Sequence, residues 1–273
     1  MLLPRILTAL VAAPLVVALV IWGPAWGFSL LVTLIGAVGL HEYHALAWPS
    51  SPPHPRDRSG RHFATAIATG WTGLAAAMGG SFALAGLVAA MIVLLTFHLS
   101  RPEPIPSLNA RMSASLGGIL YGGLPMVHMC WLHARPDGSG WRWICLLFLV
   151  VWCGDSAAYF GGRAFGKHKL YPVASPKKTV EGSVFGLLGS VGVALAARAW
   201  FHPSLTVADC LVLGAAGGAL GQIGDLVESL WKRSAGVKDS GTFFPGHGGV
   251  LDRVDALLFA APLFYWYARW LFG

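Results

Sequence analysis

SLWKRSAGVKDSGTFFPGHGGVLDRVD, residues 229–255, is a dense polar run of bases, carboxylates, a histidine and glycines set between two long hydrophobic stretches. A charged side chain near a bilayer centre costs on the order of a few kcal/mol or more, so ionisable groups gathered at the edge of apolar spans need partners: each other, a metal or a substrate. The run therefore marks both where the chain leaves the membrane and where its chemistry is to be sought.

Outward from it the chain is oily. Of its 273 residues 55% are hydrophobic and 11% charged, with a mean hydropathy of +0.62, values that exclude an ordinary soluble domain. Apolar segments of roughly 17 to 25 residues bounded by Gly, Pro or charge give about nine candidate helices. They fall near 4–23, 25–47, 63–79, 81–98, 113–133, 141–161, 181–200, 207–230 and 252–272, the first two being either two spans or one re-entrant hairpin. The expectation is an all-α integral membrane protein, a polytopic bundle of about nine transmembrane helices with a cytoplasm-facing polar site. The first apolar run continues to Trp22 without a small-residue cleavage site and reads as a retained span. Cys130, Cys145, Cys153 and Cys210 lie in or beside apolar segments with no CxxC or Cys/His spacing, so they read as small buried hydrophobes. Stretches such as GAAGGALGQIG, 214–224, suit close helix packing in lipid better than nucleotide binding.

Charge orients the bundle. The connections after the second, fourth, sixth and eighth helices hold most of the 19 Lys and Arg: Arg56, Arg58 and Arg61; Arg101 and Arg111; Arg163, Lys167, Lys169, Lys177 and Lys178; Lys232, Arg233 and Lys238. With Arg5 on the same side, the positive-inside rule puts this face, the N-terminus and the polar site in the cytoplasm, as in a multi-pass protein of the bacterial inner (plasma) membrane. The net charge of +7 then describes a face that attracts anionic lipid and anionic soluble substrates rather than nucleic acid.

Two cytoplasmic connections carry chemistry. In GDSAAYFGGRAFGKHKLYPVASPKKTVEG, 154–182, Asp155 ends a span and Glu181 opens the next. Between them Lys177 and Lys178, flanked by Ser175 and Thr179, offer ammonium groups, hydroxyls and helix-start N–H groups to a phosphate, or grip lipid headgroups. In the second connection Asp225, Glu228, Ser229 and Lys232 share one helical face. Glu228 has Lys232 one turn on as a structural partner, whereas Asp225 has no such cation and is the better metal ligand. Asp252 and Asp255 face one way on the first turn of the last helix, and the glycines of PGHGG, 245–249, permit close backbone approach beside an anion-favouring helix start. Mg²⁺ takes one or two carboxylates, keeps waters and coordinates substrate phosphates, so Asp225 and Asp252 read as a hard-metal phosphate site. Phosphoryl-type transfer needs positioning and charge stabilisation, not a Ser or Cys nucleophile.

These residues resemble the phosphatidate cytidylyltransferase (CDP-diacylglycerol synthase) family. Its signature has the form SxxKR, four residues, KD, a short spacer, HGG, two residues and DRxD, and every fixed position is present from Ser229 to Asp255, with Trp231 where an aliphatic residue or Phe is usual. The blocks GDSAAYFGGRAFGKHKL and SPKKTVEG are similar to the family's too, with Ser156 where Thr is common. The matched blocks cover roughly residues 150–260 and carry the site at 150–182 and 222–255, so 111–273 is expected to be the catalytic membrane region and 1–110 a set of N-terminal spans.

The resemblance implies the reaction CTP + phosphatidate → CDP-diacylglycerol + diphosphate in a membrane homodimer. It implies metal ligation by Asp225 and Asp252, with Mg²⁺ as cofactor and K⁺ as a second cation. Lys232, Arg233, Lys238 and Arg253 would bind phosphates, and Lys177, Lys178 and Thr179 would close over one substrate. Ser229, Glu181, His247, Gly248 and Gly249 complete the substrate set, with Asp239 beside the catalytic lysines. Asp155, Asp239 and Asp255 are second choices for the site, since each could instead orient a neighbouring cation.

Other patterns point elsewhere or nowhere. HEYH, 41–44, is not HExxH, since its histidines are three apart rather than four, and it reads as a structural polar contact. His128 and His133 on an apolar helix read as packing or interfacial groups. The rival readings are a transferase acting on another membrane lipid and an ion-coupled transporter using Asp155, Asp225, Glu228 and Asp252. The clustering of acids at cytoplasmic span ends, and the absence of the DGxxAR pattern of CDP-alcohol phosphotransferases, favour the cytidylyltransferase reading.

Overall fold

The computed structural model describes residues 14–48, 55–243 and 248–272. Residues 14–22 are helical, and Gly23 and Pro24 separate them from α1 (Ala25–Ala47). There follow α2 (Pro55–Met78), α3 (Gly80–Ser100), a 3-10 turn (Ile105–Ser107), α4 (Leu108–Gly117), a π-helical segment (Gly118–Gly123) and α5 (Leu124–His133). Then come α6 (Gly140–Phe165), α7 (Val180–Trp200), α8 (Val207–Ser234) and α9 (Leu251–Leu271). Counting 108–133 as one run, each span expected from the sequence coincides with a helical stretch, although residues 4–13 of the first lie outside the described residues. In lipid every backbone N–H and C=O must be satisfied internally, which is why the apolar stretches resolve as helices. Among the described residues α1, α3, α6, α7 and α8 are long and apolar enough to cross a membrane. The protein is an all-α, polytopic membrane protein. One addition is a hairpin of β1 (Lys169–Tyr171) and β2 (Ser175–Thr179), antiparallel with Lys169 opposite Thr179 and Tyr171 opposite Ser175, in the stretch that charge alone marks as loop.

The chain divides into two compact units. The first comprises the described residues up to Trp131 together with Asp239–Asp252. Leu40, Trp48, Ala64, Ala68, Trp71, Leu94, Ile119 and Val127 form its core. Several polar groups inside it find partners, which lowers the cost of their burial: His44 Nδ1 lies 3.0 Å from Thr65 Oγ1, His98 Nε2 lies 2.9 Å from Ser115 Oγ, and Trp71 Nε1 donates to the Ala83 carbonyl at 3.0 Å. Arg111 is buried and donates to the carbonyls of Pro102 and Pro104, tying down the turn before α4.

The second unit holds Leu132–Lys238 and Arg253 onward. Here α6, α7 and α8 pack through small residues. Ser190 Oγ donates to the Val150 carbonyl at 2.8 Å, and a Cβ on Gly214 would stand 2.5 Å from Val191 Cα, so the helices approach at backbone distance. Close approach thus accounts for the glycines of 214–224. Thr179 caps α7 by accepting from Gly182 N, and Thr206 with Asp209 forms a reciprocal capping box on α8. At the other end, Arg135 donates to the carbonyls of Ala268 and Phe272, satisfying the C-terminus of α9.

Candidate active site

Within the second unit, acids from three helices gather beside the hairpin. Asp225 on α8 accepts from Lys178 Nζ at 2.6 Å and from Ser229 Oγ at 3.3 Å, the Ser229 contact following from their one-turn spacing. Asp155 on α6 and Asp255 on α9 each lie within electrostatic reach of Asp225, and Asp255 is within reach of Asp155 as well. Asp155 is also within electrostatic reach of Lys178, and Asp255 of Lys232. Glu228, fully buried, is met by Lys232 Nζ at 2.5 Å, so the structural pairing read from the sequence is present. Among the described residues, Asp155, Asp225, Glu228 and Asp255 are thus accompanied by the ammonium groups of Lys178 and Lys232. Hard oxygen donors gathered at the end of apolar helices suit a hard divalent ion that keeps its remaining positions for water and phosphate oxygens. Among the described residues no three His, Cys, Asp or Glu side chains converge as a ready-made metal cage.

The hairpin explains the order of the basic residues. Successive strand residues face opposite ways, so Lys178 turns in to Asp225 while Lys177 is exposed. Glu181 is engaged by the hairpin's entrance: it accepts from the Lys167 and His168 backbone N–H groups at 3.0 and 3.2 Å and lies 2.6 Å from His168 Nδ1. Arg233 donates through Nε to the Ala174 carbonyl at 3.2 Å and through a terminal nitrogen to that of Val237, bracing the hairpin tip to the end of α8. Lys238, Asp239 and Arg253 are exposed. One pair went unseen in the sequence: Ser183 Oγ donates to Gln222 Oε1, and Gln222 Nε2 donates to the Ser183 carbonyl at 3.1 Å, one turn before Asp225.

Within the first unit, Asp252 organises the turn before α9. Its Oδ2 accepts from Ser240 N at 3.0 Å, Ser240 Oγ at 3.0 Å and Gly249 N at 2.8 Å. Gly248 has φ +81°, a conformation open to glycine. His247 lies outside the described residues. The N–H groups of Val250 and Leu251, at the start of α9, donate to Glu42 of α1 at 3.1 and 2.8 Å. The sequence expectation was a helix start that favours anions, with the anion unspecified. A protein carboxylate already occupies it, because an anion at a helix N-terminus both satisfies orphan donors and meets the helix dipole. The sequence reading of HEYH as a structural polar contact holds at Glu42, but its partners Ser240, Val250 and Leu251 were not foreseen. The signal was a single acid in an otherwise apolar helix.

Comparison with known proteins bears on the whole chain. The model of the "Cytidylyltransferase family" matches residues 3–271. A phosphatidate cytidylyltransferase of Staphylococcus saprophyticus is 40% identical over 180 residues, 66% of this chain and 67% of the relative. Those of Staphylococcus epidermidis and Staphylococcus aureus are 38% identical over the same shares.

Proposed function

The chain belongs to the cytidylyltransferase family, and from that membership we infer that it is a phosphatidate cytidylyltransferase, joining CTP and phosphatidate into CDP-diacylglycerol with release of diphosphate. The observation that carries the reading to the site is the Lys178–Asp225 pair at the foot of a basic hairpin, set among the carboxylates of Asp155 and Asp255. The phosphatidate oxygen attacks the α-phosphorus of CTP in line, and the bond to the β-phosphate bridge breaks with diphosphate as leaving group. Already ionised, the lipid phosphate needs no general base.

Asp225 and Asp252 are the proposed Mg²⁺ ligands, on the strength of the family resemblance, with K⁺ as a second cation. The metal, when bound, supplies charge neutralisation at the transferring phosphoryl group. The chain's own residues do the rest. Lys178 holds Asp225 in place until substrate phosphate competes for its ammonium group, and exposed Lys177 meets phosphate from solution. Glu181 and Arg233 fix the hairpin at its base and tip. Lys232, Lys238 and Arg253 bind phosphates, and Thr179 ends β2 at the cap of α7. The site faces the cytoplasm, where CTP is dissolved, and the enzyme works as a homodimer in the plasma membrane.

The test is Mg²⁺-dependent diphosphate release from CTP by the purified protein in detergent micelles, with and without phosphatidate. Release requiring both substrates, with CDP-diacylglycerol formed, is the expected result. Release with another lipid phosphate or a polyprenol but not phosphatidate overturns the acceptor, and no release with any acceptor overturns the transferase reading.

A further inference from the structure

We propose that Glu42 is a positioning residue for the transfer reaction, its carboxylate fixing the turn that presents Asp252. The inference rests on the cytidylyl-transfer reading above. Glu42 is 6% exposed on α1, a helix of otherwise apolar and aromatic character. Burial of a carboxylate is tolerated only where donors converge on it; here two backbone N–H groups do, beside a hydroxyl shared with Asp252. Oε1 accepts from Val250 N at 3.1 Å, and Oε2 accepts from Leu251 N at 2.8 Å and lies 3.1 Å from Ser240 Oγ.

Ser240 makes the link to the chemistry. Its hydroxyl lies between the two carboxylates, 3.1 Å from Glu42 Oε2 and 3.0 Å from Asp252 Oδ2, and its own N–H donates to Asp252 Oδ2 at 3.0 Å. Glu42 therefore holds both ends of the segment that closes on Asp252: Ser240 at one end, and Val250 with Leu251 at the other. The glycines of the segment are shaped to this approach. A Cβ on Gly241 would collide with Glu42 Oε1; one on Gly249 would collide with Ser240 Oγ and stand 2.5 Å from Glu42 Oε2. Since misplacement of a reacting constellation by about 1 Å can cost 10²-fold in rate, a residue that sets this turn acts on kcat without touching substrate.

Glu42→Gln keeps the side chain's size but turns one of its two acceptors into an amide NH₂, which then faces a donor. The test compares wild type, Glu42→Gln and Ser240→Ala in three readouts: kcat, KM for CTP, and hydrogen–deuterium exchange of peptides covering 239–255. The expected result for Glu42→Gln is a kcat lowered roughly tenfold or more with KM changed less than about threefold, and faster exchange confined to 239–255. Ser240→Ala, which leaves the Glu42 bonds to Val250 and Leu251 in place, lowers kcat by a smaller factor and keeps the inference testable if Glu42→Gln does not fold. Wild-type kcat in both variants, or faster exchange with kcat intact, overturns the positioning role. If wild-type protein forms no CDP-diacylglycerol the transfer reading falls by itself, and unchanged exchange in Glu42→Gln then also refutes the fixing of the turn.

Discussion

Lys232 is both the partner of a buried acid and a proposed phosphate ligand, and the two roles separate by substitution. Its Nζ sits 2.5 Å from Glu228 Oε2, with the two side chains 11% and 1% exposed. Lys232→Met removes the ammonium and leaves the Glu228 carboxylate in place. Breaking one partner of a buried pair costs about 3–5 kcal/mol, because the remaining charge is desolvated without compensation. At about 2–4 °C per kcal/mol for a chain of this size, the expected fall in Tm is roughly 10 °C. Glu228→Gln combined with Lys232→Met takes away both charges, and exchanging a buried pair for neutral groups is close to energetically even, so most of the loss should return. Activity should not return with it if Lys232 binds phosphate. The assay is thermal unfolding in detergent, followed by the fluorescence of the 12 tryptophans, alongside CDP-diacylglycerol formation at saturating CTP. A Tm for Lys232→Met within about 2 °C of wild type would refute the buried-pair reasoning. A double variant with wild-type turnover would show that Lys232 acts on stability alone.

Asp225→Asn should lower kcat by about 10²–10³, as loss of a charge-organising group does, while stability changes by only about 1 kcal/mol or less, because the pair with Lys178 is partly exposed; normal turnover would remove Asp225 from the site. Gly249→Ala should cost activity by driving Ser240 and Glu42 apart, whereas Gly70→Ala, where nothing lies within 4 Å of the added carbon, should retain it; equal activity in the two variants would refute the close-approach account. In the α7–α8 connection, burial, helped by the Arg142 and Arg135 charges and opposed by Asp137, pushes His202 down to about 4 from its usual 6.5. A histidine neutral when folded and protonated when unfolded stabilises fully above pH 6.5 and loses that contribution as pH falls toward 4. Tm should therefore drop across that window in wild type and less so in His202→Gln; parallel pH profiles would discount the histidine.

The helices were legible because lipid leaves the backbone so few choices. An apolar stretch of spanning length has one way within itself to satisfy its own N–H and C=O groups, and among the described residues the expected stretches are helical runs. The acids on α8 were legible for a related reason: residues one turn apart on a helix must share a face, which put Ser229 on Asp225 and Lys232 on Glu228. The hairpin at 169–179 was not legible, because five cations in a connection signal a solvated loop and say nothing of strand pairing. Nor was the contact between Lys178 and Asp225, which are 47 residues apart. Glu42 lay furthest from view, since its partners Ser240 and Leu251 follow it by 198 and 209 residues.

That distance changes the meaning of the glycines in the signature. Read locally, PGHGG opens the backbone to a phosphate and leaves the next helix N-terminus free to bind it. In the folded chain the space beside Gly249 belongs to Ser240 and Glu42, and the N–H groups of Gly249, Val250 and Leu251 already donate to Asp252 and Glu42. The described part of the turn is therefore built to hold two carboxylates close to the backbone, and its glycines serve the placing of Asp252. In the proposed reaction, phosphate recognition is therefore assigned to cationic side chains, Lys177, Lys178, Lys232, Lys238 and Arg253, rather than to this helix start.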